Sequence, residues 1–330
     1  MALTTQTRTI GNVLASTTDA RWIDRSQDGL ISQVLNGIPL LKHMAEKPEE
    51  RGGGSQIRFP LEWTESANVI SYEHWDPLKM NPEDFLTEGY ANWKSVLVTL
   101  MLSGEQLDCN DGDEAVFNLW EAQFKWALRC LRNGINKMLW ADGTGNDSKD
   151  LLGLQAIIHA TPSSSGSIYG INRTNESWFR NKQKTSGSFA AQGVDDMRDL
   201  WTTVGMAVDE GEPDLIISNS DVYNFYEAKI QPLERFVRES VVKKTTGDLG
   251  FTGLTWKGAK MIWDPAAPTG KMYFLNTRYL KLVALKNRFF KPSERKTLEE
   301  HDGYAQHIVF RGELVCTAPR FQGVMTAITA

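Results

Sequence analysis

Five histidines (His43, His74, His159, His301 and His307) and three cysteines (Cys109, Cys130 and Cys316) are the side chains best suited to bind a metal or attack a carbonyl. Their spacing supports neither use. Zinc sites draw on pairs of His or Cys a few residues apart, and no such pair occurs here. An odd number of cysteines without motif spacing also argues against a disulfide framework. Gly166-Ser-Ile-Tyr-Gly170 sets its serine beside the first glycine, whereas a nucleophile elbow needs it midway between the two. Thr269-Gly-Lys271 imitates the end of a phosphate loop but lacks the upstream glycine and the following Ser or Thr, so it reads as a turn.

Asp108-Cys-Asn-Asp-Gly-Asp-Glu114 gathers enough oxygen ligands to suggest calcium. Its glycine falls one place early, and Leu119 stands where a bidentate Glu is required. Acidic residues before a long apolar periodicity fit the positive end of a helix better. Asn172-Arg-Thr174 and Asn175-Glu-Ser177 match glycosylation acceptors, which carry no meaning in an unexported chain. A hydrolase built from dispersed Asp and His residues finds no supporting constellation. No catalytic, cofactor-binding or metal-binding residue is assigned.

The elements that surround these residues belong to a chain of 330 residues, long enough for about two cores. Hydrophobic residues make up 41% and charged residues 23%, which excludes both wholesale disorder and a membrane-embedded chain. No apolar run reaches the ~18 residues that span a bilayer, and the polar, Thr-rich start has no signal-peptide core. The formal net charge of −5 is not that of a basic nucleic-acid binder. Eleven Trp favour a protein with extensive interfaces, since an exposed Trp is costly unless a partner covers it.

Residues 1–24 have little periodicity and read as an extended arm, with a docking helix capped by Ser26 through Leu30, Ile31, Val34 and Leu35; a disordered leader is the alternative. After Gly52-Gly-Gly54, the residues Ile57, Phe59, Leu61 and Trp63 alternate with polar ones, which is the pattern of a strand with one wet face. Pro60 confines it to an edge or a two-stranded ribbon. A second strand through Val69, Ile70, Tyr72 and Trp75 completes a projecting hairpin. At about fifteen residues a side it would reach ~50 Å, too far to fold back on its own domain. Val96–Leu102 is strand or helix. Phe117, Trp120, Phe124, Leu128, Leu131, Ile135 and Leu139 mark a helix over 113–140, capped by Asp111 or Asp113. Beyond it come a helix through Val194–Val204, a buried strand Asp214–Ser218 and a helix capped by Asn219 or Ser220. Strands then follow at Trp256–Trp263, Lys271–Leu275 and Tyr279–Leu285, with an exposed charged loop at Pro292–Gly303 and a last strand at Ile308–Thr317. The fold class is α+β.

Three stretches carry a family resemblance: Tyr169-Gly-Ile-Asn-Arg-Thr-Asn-Glu-Ser-Trp-Phe-Arg-Asn181, Met272-Tyr-Phe-Leu-Asn-Thr-Arg-Tyr-Leu-Lys-Leu-Val283 and Gly312-Glu-Leu-Val-Cys-Thr-Ala-Pro-Arg-Phe-Gln-Gly-Val324. Together, and in this order, they resemble segments of the major capsid proteins of tailed bacteriophages, whose shell fold is shared by the herpesvirus capsid floor and the encapsulins. The resemblance implies an N-terminal arm (1–50), an extended loop (51–88), a peripheral domain (89–150) with its spine helix, an axial domain (151–279) and return strands of the peripheral domain (280–330). It further implies a virion protein that assembles in the host cytoplasm into hexamers and pentamers of an icosahedral shell around double-stranded DNA. An encapsulin-like nanocompartment is the alternative. No membrane is involved, and the expected partners are further copies of the chain, a portal and a decoration protein. A scaffolding protein is expected to be separate, unless the chain is already processed, because no long leader precedes the arm.

Contacts between subunits are expected from Phe59, Trp63, Tyr72, Trp75, Trp178 and Arg180, with Gly52, Gly53 and Gly54 as the hinge. Trp178 and Arg180 have a second reading, in which they pin their loop to its own domain. Some relatives crosslink a loop lysine to a neighbour, but Lys79, the lysine of the projected hairpin, has no recognisable partner motif and reads as a surface residue.

Overall fold

The computed structural model describes residues 38–46, 48–76, 78, 81–108, 119–206, 211–237, 254–299 and 302–330. The helix expected at 26–35, the caps Asp111 and Asp113, and Lys79 lie outside them. The chain divides into two compact units. In its described part, the first comprises Leu97–Leu131 and Phe290–Val309, and the second Gly37–Val96, Arg132–Phe289 and Phe310–Ala330.

In chain order the second unit begins with helix α1 (Pro39–Ala45) and strand β1 (Glu49–Arg51). Pro39 suits the first turn of α1, but Ile38 offers no side-chain cap. The orphan amides are served from far away: Leu41 N–H donates to Asn136 Oδ1 (3.1 Å) and Leu40 N–H to Asp264 Oδ2 (3.4 Å). Asn136 Nδ2 in turn donates to both Asp264 oxygens (3.1 and 3.2 Å), so a fully buried amide and carboxylate close one network.

Strands β2 (Gln56–Glu62) and β3 (Leu86–Asn92) pair antiparallel as a two-stranded ribbon, in register from Gln56 with Asn92 to Glu62 with Leu86. The ribbon expected from Pro60 is therefore present, but the return strand expected at Val69–Trp75 is not. The described residues between 63 and 85 instead form an irregular tip, with no strand among them. Seven rungs, six steps of ~3.4 Å, make the paired part about 20 Å long.

Strand β4 (Lys94–Ser103) resolves the strand-or-helix ambiguity at Val96–Leu102, because its successive residues alternate between a more buried and an exposed face. A short helix α2 (Gly104–Asp108) follows, and then the long helix α3, described from Leu119 to Trp140. Within the first unit, Gln123 Nε2 donates to the Met101 carbonyl (3.1 Å), and the Arg295 guanidinium lies 3.9 Å from the Trp120 ring centre.

The second unit contains the hairpin of β5 (Ser167–Ile168) and β6 (Ile171–Asn172), strand β7 (Lys182–Thr185), helix α4 (Val194–Gly205), strand β8 (Leu215–Ser218) and helix α5 (Ser220–Val237). As expected, Asn219 caps α5: its Oδ1 accepts the Val222 N–H at 3.2 Å. The stretch Trp256–Trp263 is two strands, β9 (Leu254–Trp256) and β10 (Ala259–Trp263), not one. Lys257 and Gly258, both at positive φ, turn the chain tightly between them. Strand β11 (Met272–Leu275) completes a sheet ordered β7-β16-β11-β8-β10-β9, where β16 is Gly323–Thr326. Strand β8 lies inside this sheet, parallel to β10 and antiparallel to β11, and all four of its residues are buried. Met197, Leu200, Trp201 and Val204 of α4 and Val222 and Tyr226 of α5 join Ile216, Met261, Met272, Phe274 and Met325 of the sheet in one core.

Strand β12 (Leu280–Leu285) pairs with β1 in parallel. The segment Pro292–Gly303 is not a bare loop. Strands β13 (Lys291–Pro292) and β14 (Lys296–Thr297) flank and enter it, and both pair with β15 (Gly303–Cys316), which starts five residues earlier than expected.

Candidate assembly interface

The ribbon has two faces. Ile57, Phe59, Leu61 and Ala91 are buried, and the side chains between them are exposed. Its root therefore folds onto its own unit, against the expectation that the limb would leave it. The reason lies in the first motif of the sequence. Tyr169 and Gly170, at φ +53° and +83°, form the two-residue turn between β5 and β6. The Tyr169 carbonyl accepts the Tyr90 N–H of β3 at 3.0 Å, and its ring meets Phe59 edge-on at 5.5 Å. Gly170 sits so close beneath the Tyr90 ring that a Cβ there would come within 2.2 Å of it.

That turn is itself held rigidly. Tyr169 Oη donates to the Leu314 carbonyl (2.9 Å) and accepts the Cys316 N–H (3.2 Å). Arg173 is buried and donates to the Ile157 and Ala156 carbonyls (2.9 and 2.8 Å), where burial pulls its pKa down. Arg180 donates to the carbonyls of Arg173 (2.5 Å) and Thr174 (2.6 Å), and Trp178 Nε1 to Glu176 Oε2 (2.7 Å). Asn181 accepts the His159 N–H and donates to the His159 carbonyl. The motif Tyr169–Asn181 thus builds a socket for the ribbon root. Phe59, only 4% exposed, is part of that socket's packing.

The tip is different. Trp75 is 93% exposed, Val69 85% and Tyr72 67%, and Trp63, Ile70, Leu78, Phe85 and Leu86 are exposed beside them in sequence. Such a run of large apolar side chains is more exposed apolar surface than scattered surface residues give. Gly52, Gly53 and Gly54 join the ribbon to β1. Gly54 has φ +107°, and its carbonyl accepts the Trp93 indole N–H at 2.9 Å, which leaves Gly52 and Gly53 as the open part of the joint.

Elsewhere the chain offers little chemistry. Among the described residues no group of three or more His, Cys, Asp or Glu can hold a metal ion, and no helix is long and apolar enough to cross a membrane. Cys316 is buried, with its pKa raised to about 12, and Cys130 is exposed. One buried acid stands out. Glu313 Oε1 accepts the N–H groups of Leu152 (2.7 Å) and Leu314 (3.1 Å), and burial raises its pKa to about 7 despite the nearby Lys94. Neither Glu313 nor the Asn136–Asp264 pair was visible as a site in the sequence, because each gains its meaning from contacts more than a hundred residues away.

No family model and no curated protein matches this chain. Solved structures do. The capsid asymmetric unit of cyanophage A-1(L) superposes with a TM-score of 0.71 over 93% of this chain and 97% of that one, at 15% identity. This is the fold of the tailed-phage capsid shell. The capsid of Myoviridae phage XM1 matches with a TM-score of 0.60 at 13% identity, over 93% of this chain and 97% of that one. The shell fold extends to the holo-SrpI encapsulin complex from Synechococcus elongatus PCC 7942, with a TM-score of 0.57 at 11% identity over 94% of both chains.

Proposed function

We propose that this chain is a major capsid protein that assembles into hexamers and pentamers of an icosahedral shell enclosing double-stranded DNA, and that it is not an enzyme. The observation that carries the reading is the exposed aromatic tip, 63–85, on a chain with the capsid shell fold. A tip fixed to a rigid socket at its root and uncovered beyond it is suited to lie on a neighbouring copy. Trp63, Tyr72 and Trp75 supply the contact, with Trp178 beside the socket as a lesser one. Phe59 and Arg180 position the ribbon from within. Gly52 and Gly53 let identical chains adopt the slightly different tilts that closure requires. Many modest contacts per subunit give the shell its strength through multivalency.

The test replaces Thr64–Asp84 by Asn-Gly, which joins Trp63 and Phe85 with a two-residue turn. The Trp63 N–H already donates to the Phe85 carbonyl at 3.2 Å, so the ribbon is kept. The shortened chain is expected to fold and to sediment as small species, while the full chain forms megadalton particles by negative-stain microscopy. Normal particles from the shortened chain refute the role of the tip. The match to an encapsulin favours a second reading, a nanocompartment shell. Nuclease-protected DNA inside particles from the native source supports the capsid, and enclosed protein cargo supports the compartment. A separate scaffolding protein, a portal and a decoration protein complete the proposed partners.

A further inference from the structure

Charge is divided unevenly along this chain. From Glu62 to Glu88, seven carboxylates stand against one lysine, Lys79. From Lys286 to Lys296, five cations stand against one acid, Glu294. All seven carboxylates are exposed. Two of them hold the shape of the tip: Glu83 Oε1 accepts the Ala67 N–H (2.8 Å), and Asp76 Oδ2 accepts the Glu73 N–H (2.9 Å). The Arg58–Glu88 ion pair (3.3 Å) lies on the paired stem. Among the described residues no cation pairs with Glu65, Glu73 or Asp84.

In the same unit, the basic counterpart is the turn after β12, and its backbone is pinned. The Lys286 N–H donates to the Arg51 carbonyl (2.9 Å), the Arg288 N–H to the Leu285 carbonyl (2.9 Å), and the Arg311 N–H of β15 to the Arg288 carbonyl (3.0 Å). The last bond sets Arg288 and Arg311 side by side. Lys286, Arg288 and Arg311 are exposed, and no described carboxylate pairs with them; Arg311 Nε donates to Ser95 Oγ (2.8 Å). Like charges fixed beside one another repel, so this arrangement favours an anionic partner.

Within one copy the two surfaces stand apart. The turn lies at the root of the ribbon, because Arg51, which accepts the Lys286 N–H, itself donates from Nη1 to the Arg58 carbonyl (2.9 Å). The tip begins four residues further along β2, about 14 Å away at ~3.4 Å per residue. That exceeds the screening length of about 8 Å at physiological salt. The complementary charges therefore meet between copies.

We infer that the acidic tip of one copy docks on the turn bearing Lys286, Arg288 and Arg311 of a second copy. This rests on the shell reading and deepens it, by naming the surface that receives the tip and the charge that selects it. Each copy offers a tip and a turn at different places, so the contact is head-to-tail, the kind that closes rings.

The test reverses charge on each side and then on both. Lys286→Glu with Arg288→Glu, and separately Glu73→Lys with Asp84→Lys, are each expected to lower particle yield in sedimentation roughly tenfold, since every subunit loses the contact. All four substitutions in one chain restore opposite charges and are expected to restore the yield. Normal yield from either pair alone, or a fourfold variant no better than the pairs, overturns the assignment. So does a turn variant that assembles normally but encloses less DNA, which would place nucleic acid on the turn. Where a variant does not fold by circular dichroism, carbodiimide crosslinking of wild-type particles decides. Peptides joining Lys286 to a tip carboxylate in particles, and absent from dissociated subunits, support the contact; their absence from particles refutes it. A wild-type chain that forms no particles would sink the shell reading itself, which is a separate result.

Discussion

Glu313 gives the sharpest test of how this interior treats charge. Its side chain is 2% exposed, and its Oε1 accepts the backbone N–H groups of Leu152 and Leu314. Two such bonds and the attraction of Lys94 all favour the ionised form, yet burial outweighs them and lifts the pKa from its usual 4.5 to about 7. The sign follows directly. Below pH 4.5 the carboxyl is neutral whether the chain is folded or not. Between 4.5 and 7 the unfolded chain releases the proton while the folded chain keeps it, so stability falls as pH rises. Above 7 both are ionised, and the loss is complete. At about 1.4 kcal/mol for each tenfold change in proton affinity, that loss is about 3 kcal/mol. Glu313→Gln keeps an oxygen for the two amides and cannot ionise. Part of the loss is already present at pH 5, so urea unfolding of the unassembled chain at pH 5 and pH 8 should show the difference between wild type and Glu313→Gln moving by about 2–3 kcal/mol in favour of Gln at the higher pH. A difference that stays within about 0.5 kcal/mol across that range would show that water or a closer cation relieves the buried carboxylate, and the reasoning would fail.

Two other perturbations separate what holds the subunit together from what joins it to its neighbours. Asn136→Ala leaves the Leu41 N–H and one side of the Asp264 carboxylate unsatisfied in the interior, which should cost about 2–3 kcal/mol in urea unfolding and speed amide exchange across Pro39–Ala45. An unchanged exchange rate there would mean that α1 is held by its buried Leu40, Leu41 and Met44 alone. Trp75→Ser, at a side chain that is 93% exposed, should shift subunit stability by no more than about 0.5 kcal/mol while abolishing particles. Particles at normal yield would remove Trp75 from the interface.

Where the sequence was legible, local rules sufficed. The apolar period of 194–204, the Asn219 cap and the continuous apolar run of β8 each follow from neighbours in the chain, and each is found. The ribbon shows where such rules stop. Alternation at Ile57, Phe59 and Leu61 marked β2, and Pro60 marked its ribbon character, but nothing local chose the pairing strand. Val69, Ile70, Tyr72 and Trp75 looked like a strand because they are large and apolar, whereas Leu86–Asn92, with a Glu, a Gly and an Asn, did not. The structure reverses the roles. Gly89 is needed because the Phe59 ring crosses it, so close that a Cβ would lie 2.6 Å away, and a bulkier strand could not have paired there. The large residues gather at the tip, where Val69, Tyr72 and Trp75 stay mostly exposed among the described residues. An apolar residue reports that something will cover it, and periodicity alone does not say whether that cover is the same molecule or the next. The burial of Phe59 beside the exposure of Trp75 divides the two cases within one hairpin. The root of the ribbon is anchored by its own socket, and the large side chains of the tip stay exposed.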